Sequence, residues 1–205
     1  METKINTLPT LFGKCLGLSL EKDSLPVYSS KIGPRDEAKK EAILSFAKEH
    51  LPQKGLLKIS SKGLVYVDVS DRYISELLPL LEDQKIEPPP YMGTEDFLGA
   101  HITALLIEEN SEGLGAEELH QEIDFTITGC HKVEPQNWHE MQEVWCLTVE
   151  SPQLEELRLK LSLSPHIENQ MFHITFGVQK RFLSLADILE ERHEEILLKH
   201  VSKSL

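Results

Sequence analysis

Two identical tripeptides constrain the fold of this chain more than any other feature. His101-Ile102-Thr103 and His173-Ile174-Thr175 lie 72 residues apart (173 − 101), each inside a run of strand-forming residues. The order of expected elements around them is also the same. Leu64–Leu106 reads as strand, helix, connector, strand, and Val144–Gly177 repeats that order with its tripeptide again on the last strand. The intervals from first strand to histidine differ, 37 residues (101 − 64) against 29 (173 − 144). The pattern is therefore a diverged duplication, and its period is too long for a solenoid.

The rest of the chain fills in around this duplication. Residues 1–34 read as an irregular lead-in with one short strand near Leu16–Leu20. Asp36–His50 reads as a helix, with Ala38, Ala42, Ile43, Phe46 and Ala47 repeating at three and four, ended by Pro52 and Gly55. Leu56–Ser60 and Leu64–Val69, joined at Lys62-Gly63, predict a hairpin. A helix capped by Ser70 or Asp71 follows, with Tyr73, Leu77, Leu80 and Leu81 on one face and Pro79 bending or shortening it. Pro88-Pro89-Pro90 is a stiff connector to the strand Ala100–Ile107. The acidic stretch Glu108–Gln121 reads as a loop, Ile123–Val133 as one alternating strand, and Glu143–Val149 and Met171–Val178 as two more. Ser151-Pro152 opens a helix that buries Leu154, Leu157 and Leu161, and Ser184–Val201 reads as a final helix. Residues 1–55 are expected to form an N-terminal extension with one helix, and 56–205 the domain that holds the duplication.

On a strand, residues i and i+2 share a face. His101 and Thr103 therefore point one way, with Ile102 and Ala104 opposite. His173 and Thr175 behave likewise against Ile174 and Phe176. If the halves face each other, two imidazoles and two hydroxyls converge. That set suits phosphodiester cleavage. A neutral histidine takes a proton from the attacking water or hydroxyl, and a protonated one gives a proton to the leaving oxygen. Both roles fit a side chain whose free pKa of roughly 6.5 lies near working pH. The threonine hydroxyls can donate to the non-bridging oxygens as charge builds there.

At these residues the sequence resembles the 2H (two-histidine) phosphoesterase superfamily, whose members carry two H-x-T/S motifs on pseudo-symmetric lobes. The resemblance covers roughly Leu56–Lys180. It implies an α+β fold that is bilobal, with two mainly antiparallel sheets flanked by helices around a central cleft. It also implies metal-independent cleavage of a phosphodiester: a 2′,3′-cyclic phosphate, a 2′,5′-linked or a 3′-terminal oligonucleotide. His101 and His173 then form the acid–base pair, in an order the sequence leaves open. Thr103 and Thr175 bind phosphate, and Tyr91 is a candidate for stacking on a base. Phe172 precedes a motif histidine and by alternation belongs to the core, while Lys180 and Arg181 read as a solvated strand end.

Charge and cysteine usage narrow the setting. With 21 basic against 34 acidic side chains, a net charge of −13, the chain is not expected to grip extended nucleic acid or an anionic membrane surface. A small nucleotide or an RNA end, carrying few charges, remains compatible as substrate. Cys15, Cys130 and Cys146 form no C-x-x-C pair, and the remaining histidines, His131 among them, show no metal-ligand spacing, so no cofactor or metal is expected. Residues 1–20 lack a long apolar run, and the expected compartment is the reducing cytoplasm. Two other readings stay open. One is a module on the same fold that binds a nucleotide without cleaving it. The other is a protein-interaction domain that works through its N- and C-terminal helices.

Overall fold

A computed structural model describes residues 34–90, 98–110, 114, 118–135, 140–167 and 170–181. The expected lead-in strand, the final helix and Tyr91 lie outside the described residues. The described chain is α+β. Helix α1 is Pro34–His50, followed by strands β1 (Lys54–Ile59) and β2 (Val65–Asp68), then the short helix α2 (Arg72–Ser75) and a 3-10 turn at Leu78–Leu81. Strands β3 (His101–Leu105), β4 (Glu122–Asp124), β5 (Thr126–Val133) and β6 (Met141–Glu150) come next, then helix α3 (Pro152–Lys160) and strand β7 (Phe172–Lys180). The proline at 79 does shorten the second helix: four α-helical residues are followed by a tighter turn, because proline lacks the N–H that would continue the ladder.

Instead of the two sheets expected, the strands form one seven-stranded sheet in the order β4-β1-β2-β3-β7-β6-β5, antiparallel at each pairing. The join between its halves is narrow, a single residue pair, Ile102 opposite Ile174. The helices cross over between the halves. Helix α2, from the first repeat, packs against β7, and α3, from the second, packs against β3 and β4. Arg158 of α3 donates to the carbonyl of Ala104 at 2.8 Å and holds Glu109 through two contacts of 2.6 and 2.9 Å.

The expected strand Ile123–Val133 divides at Phe125 into two strands on opposite edges of the sheet: β4 pairs with β1, and β5 with β6. Consecutive residues can reach both edges only if the sheet curls, as twisted antiparallel sheets do. Gln53 ties the break: its carbonyl accepts from Phe125 N–H at 3.1 Å and its side-chain oxygen from Ile127 N–H at 2.9 Å. Phe125 turns into the core beside Tyr73, ring centroids 6.3 Å apart.

One buried cluster takes residues from every layer, including Ile43 and Ala47 of α1, Val67, Ile102 and Ile174 of the sheet, and Leu154 and Leu157 of α3. Of the expected α1 stripe, Ala38 and Ala42 are exposed, and Leu80 likewise leaves the expected face of the second helix. Among the described residues no helix is long and apolar enough to cross a membrane.

Candidate active site

Alternation along the two motif strands sets up the site. In β3, Ile102 and Ala104 are fully buried while His101 and Thr103 keep partial access to solvent; in β7, Ile174 and Phe176 are fully buried while His173 and Thr175 keep it. Ile102 stands opposite Ile174. Continuing that antiparallel register by one residue each way sets His101 opposite Thr175 and Thr103 opposite His173, all four on the face away from the isoleucines. The two histidines are then diagonal neighbours, roughly 7–8 Å apart along the backbone and somewhat less between Cβ atoms. A pseudo-twofold axis runs through the isoleucine pair.

The histidines are held alike. His101 Nδ1 donates to the carbonyl of Gly99 at 2.9 Å, and His173 Nδ1 to the carbonyl of Met171 at 3.2 Å, each two residues back along the chain. A carbonyl only accepts, so Nδ1 carries the hydrogen in both rings and the lone pair of the neutral form sits on Nε2. The Gly99 carbonyl is aimed by a backbone that favours glycine: φ is +70°, and an added Cβ would lie 2.5 Å from Asp71 Oδ1, the atom that also accepts from Ala100 N–H at 2.8 Å.

Both imidazoles are surrounded mostly by protein, and this burial pushes their pKa values below the usual histidine range. For each, the bonded backbone carbonyl opposes the shift. His101 is also lowered by the charge of His173 and raised by that of Asp68.

The flanking strands add residues to the same face. Asp68 of β2 stands opposite His101, and Tyr66 opposite Thr103. Tyr66 is almost wholly buried and turns its ring edge-on to His101, centroids 5.9 Å apart at 79°. Lys58 of β1 stands opposite Tyr66 and forms an ion pair with Asp68. On the other side, Thr148 of β6 stands opposite His173, and Cys146 opposite Thr175. His131 of β5 stands opposite Cys146, and its Nε2 lies 3.2 Å from Thr148 Oγ1. Thr128 donates to the Thr148 carbonyl at 3.2 Å. Gly129 lets these groups close up, since a Cβ there would lie 2.6 Å from His131 Nε2 and 2.9 Å from Thr148 Oγ1. The Cys146 thiol is pushed up to about 12 by burial, which leaves it protonated and a poor nucleophile near neutrality.

Tyr66, Asp68, Lys58, Thr148 and His131 escaped the sequence reading. Alternation in β2 does put Tyr66 and Asp68 on one face, but which strand β2 neighbours is a matter of register. His131 carries no spacing signal at all. Lys180 lies at an exposed strand end and pairs with Glu87 at 2.8 Å, and Phe172 is core, both as expected. Among the described residues no three His, Cys, Asp or Glu side chains form a group able to hold a metal ion.

A family model described as "Swiss Army Knife, 2H phosphoesterase domain" matches residues 65–183, more than half of the 205-residue chain and spanning both H-I-T strands. The comparison with curated proteins and that with solved structures each gave no significant match.

Proposed function

Since the chain belongs to the 2H phosphoesterase superfamily, we propose that it is a metal-independent phosphodiesterase acting on a 2′,3′-cyclic phosphate or a short oligonucleotide. The observation that carries this reading is the Ile102–Ile174 register, which gathers two histidines and two threonines on one face.

The steps follow from the chemistry of the groups. The neutral histidine takes a proton from water through Nε2 as the water oxygen bonds to phosphorus. The bond from phosphorus to the leaving ribose oxygen breaks, and the protonated histidine gives its proton to that oxygen. The products are a phosphomonoester and a free hydroxyl. Proton exchange with solvent then restores the two rings. Thr103 and Thr175 donate to the non-bridging oxygens, where the transition state gathers charge. Burial of the rings supports the base role, because a depressed imidazole pKa keeps a neutral base available near pH 7.

The test is a screen of 2′,3′-cyclic nucleotides and short oligonucleotides in EDTA. Turnover is expected in the chelator, with a bell-shaped rate against pH. His101→Ala and His173→Ala should each lose about 10²–10⁴ in kcat while keeping the wild-type circular dichroism spectrum. Full turnover in both variants, or binding without turnover of any substrate, overturns the reading.

A further inference from the structure

The two halves of the site match in backbone and differ in charge, and the difference bears on which histidine holds the proton. Each histidine has one directly opposed polar residue on the flanking strand: Asp68 for His101, Thr148 for His173. Each of these is in turn held by a basic group one strand further out, Lys58 for Asp68 and His131 for Thr148. Only the first arrangement places a carboxylate beside an imidazole.

We propose that Asp68 makes His101 the proton-carrying acid of the pair and leaves His173 as the neutral base. This rests on the phosphodiesterase reading and orders its two roles. Among the described residues, those that face His101 include Asp68 and Tyr66 on β2, Lys58 behind them on β1, and His173 across on β7. Asp68 favours the imidazolium. Lys58 offsets part of that effect through its ion pair. A proton on either histidine disfavours one on the other, so as pH falls the pair takes up its first proton alone, on the ring whose surroundings favour it more. His101 has the carboxylate and the shorter Nδ1 contact, 2.9 Å against 3.2 Å. His173 faces a neutral hydroxyl already engaged by Thr128 and His131. Asp68 touches no reacting atom in this scheme and acts as a positioning residue through His101.

The proposal is tested without any substrate by following the ring C–H resonances of both histidines against pH, assigned with His101→Gln and His173→Gln. His101 should titrate at the higher pH. Asp68→Asn should lower the His101 midpoint by about one pH unit and leave His173 within a fraction of that. Lys58→Met should move the His101 midpoint up, since the carboxylate then acts undiminished. In turnover, the alkaline limb of kcat/KM should follow His101 in both variants while the acid limb stays. If His173 titrates at the higher pH, or Asp68→Asn leaves His101 unmoved, the proposal is overturned and the phosphodiesterase reading stands. If the midpoints behave as stated but no substrate is turned over, Asp68 keeps its effect on His101 and the phosphodiesterase reading fails.

Discussion

The β1–β3 half of the sheet and the β5–β7 half carry the same arrangement in different chemistry. His101 answers to His173, Thr103 to Thr175, Asp68 to Thr148, Tyr66 to Cys146 and Lys58 to His131. Backbone register explains the likeness, because directly opposed residues share a face whatever their side chains. The unlikeness lies in the outer pairs: an ion pair in one half, a neutral hydrogen bond in the other. The two halves therefore present their imidazoles alike, while the residues one strand away differ in charge.

The largest effect is expected where the halves are tied together. Arg158 is almost fully buried, and it links α3 to β3 and to Glu109. Arg158→Ala leaves a carboxylate and the Ala104 carbonyl without their donor, and should cost about 3–5 kcal/mol by urea denaturation. A loss under 1 kcal/mol would mean that the two halves hold together without it.

Glycine substitutions sharpen the contrast between the halves. Gly99→Ala forces a side chain onto φ +70°, a strain that remains even if the Asp71 carboxylate swings aside, so about 1–3 kcal/mol of stability should be lost. His101 activity should fall with it, because the carbonyl that fixes the ring moves. Gly129→Ala meets only the ends of the His131 and Thr148 side chains, which can swing aside. It should cost less than Gly99→Ala in the same denaturation assay, and equal losses would contradict the asymmetry.

The smallest effect is on stability against pH. Burial holds the folded pKa values of His101, His173 and His131 below the unfolded value of roughly 6.5. Between those values the unfolded chain binds more protons, so stability falls as pH drops through that window and is regained above it. Urea midpoints at about pH 7.5 and about pH 5.5 should therefore differ, with the acid value lower. The difference should shrink in His101→Gln and in His173→Gln; an unchanged difference in both would show that neither ring is the source.

Much of the local structure was legible because it is written in short periods. The alternation of His101 and Thr103 against Ile102 and Ala104 is a two-residue pattern, and the burial of those residues follows it. The shortening at Pro79 needs only the missing N–H. The division of Ile123–Val133 was not legible. Phe125 fits the alternation, and nothing nearby marks it as the point where the chain passes from one sheet edge to the other. The hydrogen bonds that hold the break come from Gln53, more than 70 positions before Ile127.

The same division holds for the molecule as a whole. The chain alone determined that two H-I-T strands would each bury an isoleucine and turn a histidine and a threonine the other way, since pleating is a property of every strand. It did not determine that those strands would lie side by side in one sheet, that Asp68 and not a neutral residue would stand opposite one histidine, or that His131 would join the site. Those are facts of register between distant segments. Register is fixed by how the helices and the two buried faces pack together, which no local window of sequence contains.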